Sequence, residues 1–365
     1  MKQKKLIIFM PSIEDGGAEK NLFIISNYLK DKIKDISLIT VSKKFKNRFS
    51  KKIKIISPRS NFWDTLSRRK KFIIGLYLLT LQIMKNKNLL VFCFQANIYC
   101  TILCKLLGVK IIVRSNSAPD GWSQSIYKFF CYKYIFKLAD KVIVNSLDFK
   151  KKFKVKFNIN AVCIYNPLNK KEIIEKSKYK NQIKFDKKKL NLINVGRYTD
   201  QKDQMTLLKA VNRIKDKIKF NLLIVGKGLE KENLINYIRR NNLIKKVQLK
   251  NFQNNPFNLI KSSDVFVLTS KYEGLPNVLL ESQVLKKFII STNCPTGPRE
   301  ILLNGKAGFL FNVGDYKKLS KLILNYSKNK KILSKKILIG YKSLNRFDYK
   351  YNLENYFKIV SSLIK

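Results

Sequence analysis

A chain of 365 residues, 45% of them apolar, is too long for one ordinary core and sufficient to bury two, which excludes wholesale disorder. Its 75 Lys and Arg against 24 Asp and Glu leave a formal charge of +51, which attracts anions: nucleic acid, an anionic membrane surface or phosphorylated substrates. There is no His, which excludes a Ser-His-Asp triad, a catalytic imidazole and a His-ligated metal, and leaves Asp, Glu, Lys, Arg, Tyr and backbone dipoles to carry any chemistry.

In chain order, MKQKKLIIFM opens with charges and an apolar run too short for a signal peptide, and continues directly into fold-like sequence. The runs LIIFM (6–10), ISLITV (36–41), LLVFCF (89–94), KIIVRS (110–115), KVIVNS (141–146) and AVCIYN (161–166) read as strands. Between them Ala18, Leu22, Ile25 and Leu29 make a helical stripe, and 64–86, 97–107 and 122–138 are helical candidates. The longest apolar stretch, 73–84, is about half of the ~20 residues that span a bilayer, so no transmembrane helix is expected. A polar, Lys-rich passage without periodicity, from 167 to about 189, reads as the domain junction and closes a first domain over 1–168.

The pattern then restarts with LNLINVG (190–196), FNLLIVG (220–226), VQLKNF (247–252), DVFVLTS (264–270), FIISTN (288–293) and GFLFN (308–312), a second domain over 169–344. The last segment, 345–365, is an amphipathic helix that packs on its own domain or crosses back to the first. Strands alternating with helices predict an α/β protein with a helix-covered parallel sheet in each half and ligands at the carboxyl ends of the strands. The six Cys include no C-x-x-C pair and mostly lie in apolar runs, the pattern of buried free thiols in a reducing cytosol. Lys is spread along nearly the whole length, which looks more like a compositional habit than one binding patch.

The densest cluster of candidate site residues is KYEGLPNVLLES (271–282). It follows DVFVLTS, opens with Gly274 and Pro276, and reads as strand, tight turn and helix start, with Pro276 at the first helical position, where its missing N–H is no loss. Glu273 then stays in the turn and Glu281 falls about a turn into the helix. The N–H groups of Asn277, Val278 and Leu279 point out of the helix N-terminus, where a phosphate is favoured. The arrangement suits a polyol beside a diphosphate; it also suits a capped surface helix with one exposed and one salt-bridged Glu.

Three further strand ends carry weaker signals. Gly16 and Gly17, directly before the first helix, let a phosphate approach a helix N-terminus or simply form a glycine turn, and the stretch is not G-x-G-x-x-G. NVGRYTDQKDQ (194–204) sets Arg197 and Lys202 between strand and helix, a fork and a point charge for a diphosphate, or two solvated cations in a basic chain. NCPTGPREIL (293–302) is a Pro/Gly-rich loop with Arg299 and Glu300 at a helix start, which lines a site or only makes a turn.

Taken in this order, all at predicted strand ends, these stretches resemble the family-4 glycosyltransferases, retaining sugar-nucleotide enzymes of the GT-B fold, with two Rossmann-like domains whose parallel sheets face across a cleft. The resemblance spans nearly the full length, through GGAE (16–19), GR (196–197) with Lys202, VGKGLE (225–230), EGLPNVLLE (273–281), CPTGPREIL (294–302) and GFLFNVGD (308–315). It implies a donor site in which Gly16 and Gly17 offer N–H groups to the diphosphate, and Arg197 and Lys202 bind it and stabilise the departing nucleoside diphosphate. Glu273 would hold hydroxyls of the donor sugar, Glu281 the ribose, and 251–254 would lie near the base, so that Arg197, Lys202 and Glu273 are the catalytic residues. Two cations and two helix N-termini replace a divalent ion, no Asp-x-Asp stands at the strand ends, and neither a metal nor another cofactor is expected.

Many members of that family carry a His in the first domain, where this chain reads VRSNSAPDGWSQS (113–125) with Asn116 or Ser117 in its place. Arg114, Asn116 and Asp120 are therefore the acceptor-side candidates, and the RSNSAPDGW form resembles bacterial enzymes that build surface polysaccharides on lipid carriers. The following WSQSIYKFFCYKYIFKLADK (122–141) is either a core-facing helix or an interfacial one, with Lys at anionic headgroups and Trp122, Tyr127, Phe130 and Tyr134 at the boundary.

The resemblance thus implies a hexosyltransferase that moves a hexose or N-acetylhexosamine, with retention, from a nucleoside diphosphate, UDP by expectation, to a polyprenyl-linked glycan in O-antigen, capsule or related lipopolysaccharide synthesis. Its partners would be the nucleotide-sugar donor, that acceptor and an anionic membrane surface, with the protein cytoplasmic and peripheral on the inner face of the bacterial inner membrane. Nucleic acid is not expected, because the basic residues show no finger, helix-turn-helix or aromatic RNA-binding signature. The alternatives are a nucleotide-sugar epimerase of the same fold, which the lack of His disfavours, and a non-catalytic basic protein that binds polyanions or membranes, whose polyanions the paired carboxylates would repel.

Overall fold

The computed structural model describes residues 5–14, 16–116, 126–179 and 185–364. The chain divides into two compact units, Met1–Pro167 with Tyr349–Lys365, and Leu168–Asp348. In the first unit, strands β1 (Lys5–Phe9), β2 (Ile36–Ile39), β3 (Lys54–Ile56), β4 (Leu89–Cys93), β5 (Lys110–Ser115), β6 (Lys141–Val144) and β7 (Val162–Cys163) alternate with helices α1 (Gly17–Lys32), α2 (Arg68–Lys85), α3 (Asn97–Leu106), α4 (Ile126–Leu138) and α5 (Leu147–Phe157). All neighbouring strands are parallel, in the order β3-β2-β1-β4-β5-β6-β7, with Ile8 between Leu38 and Phe92.

Strands covered on both faces bury every side chain, which is why β1 and β4 are continuous apolar runs instead of alternating ones. Leu22, Ile25 and Leu29 of α1 join the core on one face; Leu79 and Ile83 of α2, Cys100 and Cys104 of α3, and Phe149, Phe153 and Phe157 of α5 join the core on the other. Two elements carry no strong sequence signal. β3 is three residues with no buried position, and α5 sets its buried Phe149, Phe153 and Phe157 at four-residue steps among lysines.

The second unit begins inside the polar passage that reads from the sequence as the domain junction. α6 (Lys170–Lys176) forms there because the Asn169 side chain accepts the Glu172 N–H as a cap, and its single buried residue, Ile173, is too little apolar content to register as a period. β8 (Leu190–Val195), α7 (Gln204–Asn212), β9 (Phe220–Gly226), α8 (Lys231–Arg240), β10 (Val247–Asn251), α9 (Phe257–Ser262), β11 (Val265–Leu268), α10 (Asn277–Val284), β12 (Phe288–Thr292), α11 (Pro298–Ile301), β13 (Phe309–Phe311), α12 (Tyr316–Lys328) and α13 (Lys330–Ser343) follow. The sheet is again parallel, in the order β10-β9-β8-β11-β12-β13.

α14 (Tyr349–Ile364) ends the described chain and belongs to the first unit, where Leu353, Tyr356, Val360 and Ile364 complete the core beside α1. At the start of the second unit the Leu168 N–H donates to the Phe347 carbonyl at 3.0 Å, so the incoming and outgoing strands of chain run side by side.

In each sheet the strand order reverses once, between β1 and β4 and between β8 and β11. Connections leave a switch point towards opposite faces and open a crevice at the carboxyl ends of those two strands.

Candidate functional site

The second unit's switch point is built from the segments that follow β8, β11 and β12. After β8 the chain turns through Gly196-Arg197-Tyr198. Tyr198 is fully buried and donates its hydroxyl to the carbonyls of Ile224 (2.9 Å) and Lys250 (2.6 Å), pinning this turn across β9 and β10; burial pushes its phenol well above the usual range. Gly226 at the end of β9 has to be glycine, since a Cβ there would lie 2.0 Å from the Gly196 carbonyl oxygen. Gln204 Nε2 holds the Arg197 carbonyl at 2.9 Å, while the Arg197 side chain is exposed.

The β8 and β11 segments are then sewn together. Thr269 Oγ1 donates to the Lys202 carbonyl (2.9 Å), the Lys271 N–H to the Gln201 carbonyl (2.8 Å), and Gln201 Nε2 to the Tyr272 carbonyl (2.9 Å). The result is an ion pair between Lys202 Nζ and Glu273 Oε1 at 2.5 Å, in which Glu273 also accepts from Ser270 Oγ at 2.7 Å. Thr296 Oγ1 donates to the Glu273 carbonyl at 2.7 Å, and Gly297, with φ of 82°, passes so close that a Cβ would sit 2.1 Å from the Gly274 carbonyl oxygen. Cys294 lies in the same loop, and burial, then the Glu273 charge, push its thiol up to about 12.

The surface-helix reading of KYEGLPNVLLES is excluded, because Glu273 is 7% and Glu281 5% exposed and α10 buries Leu279 through Val284. Two expectations for α10 need correction. Pro276 is the N-cap, with extended backbone at ψ of 107°, instead of the first helical residue. The Leu279 N–H turns back to the Pro276 carbonyl at 3.1 Å and Leu279 is fully buried, so it does not offer a hydrogen bond to a ligand. Asn277 and Val278 are the first two residues of α10, at the end of the helix where its dipole favours an anion.

In the first unit, Gly16 is the N-cap of α1 and Gly17 its first residue; a Cβ at Gly16 would meet the buried Glu19 carboxylate at 2.5 Å. Of the acceptor-side candidates, Arg114 is corrected: its position in β5 turns the side chain into the core, where it is 0% exposed, with Nε donating to the Tyr356 hydroxyl (2.9 Å) and Nη2 to Asn166 Oδ1 (2.8 Å). It anchors α14 and does not meet solvent. Asn116 is at the carboxyl end of β5 and donates Nδ2 to the Phe94 carbonyl at 3.0 Å. Asp120, Ser117 and Trp122 lie outside the described residues. On α4, Tyr127, Phe130 and Tyr134 are exposed, while Phe129, Tyr132 and Phe136 pack inward.

Sequence reasoning missed Ser270 and Thr296, which orient Glu273; their only signal is a hydroxyl residue beside a strand end. It also missed Lys71, a buried ammonium at the first unit's strand ends.

Two α/β units, each with a parallel sheet and a switch point, are the architecture of the GT-B fold. Residues 175–342 match the family model described as Glycosyl transferases group 1. An uncharacterized glycosyltransferase of Methanocaldococcus jannaschii is 35% identical over 202 residues, 51% of this chain and 48% of that protein, so the match spans about half the length of each. The N-acetylgalactosamine-N,N'-diacetylbacillosaminyl-diphospho-undecaprenol 4-alpha-N-acetylgalactosaminyltransferase of Campylobacter jejuni is 26% identical over 329 residues, 85% of this chain and 86% of its own. Among solved structures, HepE of Anabaena in complex with UDP shares the fold with a TM-score of 0.78 at 16% identity, covering 98% of this chain and 100% of that one.

Proposed function

We propose that the protein transfers a hexose or N-acetylhexosamine, with retention, from a UDP-sugar to a polyprenyl-diphosphate-linked glycan in bacterial surface-polysaccharide synthesis. The observation that carries this reading is the Lys202–Glu273 pair at the β8/β11 switch point, backed by the buried Glu281 and the N-terminus of α10. The likeness to an undecaprenol-linked transferase supports the acceptor class, and a UDP-bound structure of the same fold supports the nucleotide.

In this reading the donor diphosphate lies against Arg197, Lys202 and the Asn277 and Val278 N–H groups. Glu273, held by Lys202 and Ser270, accepts hydroxyls of the donor sugar, and Glu281 accepts the ribose. As the bond from the anomeric carbon to the phosphate oxygen breaks, its electron pair goes to the diphosphate, whose charge two cations and a helix terminus stabilise without a metal ion. The acceptor hydroxyl attacks from the same face, forms the new glycosidic bond and gives its proton to a departing phosphate oxygen, so no His is needed as base. In the first unit, Gly16 donates its N–H to the Glu14 carbonyl at 3.1 Å, which corrects its expected role as a donor to the diphosphate; what favours a phosphate there is the N-terminal end of the α1 dipole.

Exposed Tyr127, Phe130 and Tyr134 on α4, with Tyr99, Ile102 and Leu106 on the adjacent α3, support peripheral binding to an anionic bilayer at the inner face of the membrane. Among the described residues no helix is long and apolar enough to cross it.

The test is transfer by the full chain from a panel of UDP- and GDP-sugars to a synthetic undecaprenyl-diphosphate glycan, with the product anomer read by NMR. Turnover of donor without acceptor would indicate the epimerase instead. Undiminished transfer by both Glu273→Gln and Lys202→Met would overturn the site assignment.

A further inference from the structure

The buried residues of α2 are Lys71, Gly75, Leu79 and Ile83, one stripe at four-residue steps. Three are what a core-facing stripe requires, and the fourth is a lysine only 8% exposed. Its three N-terminal neighbours, Arg68, Arg69 and Lys70, all face solvent, so Lys71 is turned inward by helix geometry and is not part of the exposed basic run. Gly75 enforces the placement: a Cβ there would lie 2.7 Å from Pro11 Cγ, so only glycine lets the first turns of α2 close onto the segment that follows β1.

That segment is one of three strand ends that meet here. Val41 donates its N–H to the Pro11 carbonyl at 2.8 Å, joining the ends of β1 and β2, and the Ser12 N–H donates to Gln95 Oε1 at 2.9 Å, joining the ends of β1 and β4. The Ile13 N–H donates to Ser42 Oγ at 3.1 Å, and Lys71 Nζ donates to the same oxygen at 3.3 Å. This is the first unit's switch point, and Ile13 stands three residues before Gly16 and the N-terminus of α1. Among the described residues that hydrogen bond is the one polar contact of the ammonium, and no carboxylate pairs with it. A charge withdrawn from water without a counterion is costly. Here it is kept at the place in a parallel sheet where ligands bind.

We propose that Lys71 is a substrate-binding residue whose ammonium takes a phosphate at the β1/β4 switch point, from the diphosphate of either the sugar donor or the lipid-linked acceptor. The identity of those substrates rests on the glycosyl-transfer reading above; the anion site itself does not.

The test uses the full chain with Lys71→Met, which keeps the aliphatic stem and removes the charge, and Lys71→Arg, which restores it. Stabilisation by inorganic pyrophosphate, read as the rise in Tm, should shrink in Lys71→Met and return in Lys71→Arg. In transfer assays the KM of one substrate should rise about tenfold or more in Lys71→Met with the other unchanged, which assigns the phosphate to donor or acceptor. Lys71→Met protein that is folded, with the same pyrophosphate stabilisation and both KM values unchanged, overturns the proposal. If wild-type protein transfers no sugar, the glycosyl-transfer reading fails and the pyrophosphate measurement still decides the role of Lys71.

Discussion

Lys202 Nζ lies 2.5 Å from Glu273 Oε1, with the two side chains only 17% and 8% exposed, so each charge fixes the position of the other. The partnership is unequal. Glu273 has Ser270 as a second hydrogen-bond donor, and its backbone carbonyl is tied by Thr296, whereas Glu273 is the one carboxylate paired with Lys202 among the described ion pairs.

Removing one member should therefore cost more than removing both. Lys202→Met leaves a largely buried carboxylate unpaired, a loss on the order of 3 kcal/mol, and the double variant Lys202→Met/Glu273→Gln should recover most of that stability. In the proposed donor site Lys202→Met should lose at least about a hundredfold in kcat, as expected when a cation that stabilises the departing diphosphate is deleted, and Glu273→Gln should lower kcat by loosening the hold on the donor sugar. A double-mutant cycle in Tm and kcat checks both; additive stability losses would mean that the pair is not coupled.

Gly297→Ala should damage the same loop from its other side. The new Cβ meets the Gly274 carbonyl oxygen at 2.1 Å and the backbone keeps a φ of 82°, so the turn that carries Glu273 and Pro276 must shift. We expect a loss of about 2 kcal/mol in stability and a weaker donor KM, measured by thermal melts and kinetics on one preparation. Unchanged donor KM would separate this loop from donor binding.

Tyr356→Phe tests the anchoring of α14. The change leaves Arg114 Nε without its acceptor inside the core, where Tyr356 is fully buried, and should cost about 1.5 to 3 kcal/mol while leaving KM for both substrates unchanged. A selective loss of acceptor KM at unchanged Tm would return Arg114 to the acceptor side.

Cys294 should be inert to alkylation at neutral pH. Its thiol is pushed up to about 12, mainly by burial, so the thiolate that reacts is scarce below that range and increases only as pH approaches it. Peptide mapping after iodoacetamide treatment at pH 8 should find label on exposed Cys131 and none on Cys294 until the protein is unfolded. Native labelling of Cys294 at pH 8 would show that the loop opens.

The sequence by itself determined the two α/β units and the addresses of the site. Strands buried on both faces are written as unbroken apolar runs, and glycine, proline and charge at their carboxyl ends single out Lys202, Glu273 and Glu281. Only the tertiary structure decided which of those groups meet. Lys202 and Glu273 are 71 positions apart and touch because β8 and β11 are neighbours, and strand order is absent from any local pattern. The same holds for direction: one residue's place on a strand turned Arg114 into the core, and one helical stripe turned Lys71 towards the strand ends. Charge and periodicity name a residue type at a position, but whether its charge faces water, a partner or a ligand depends on packing from segments far away in the chain.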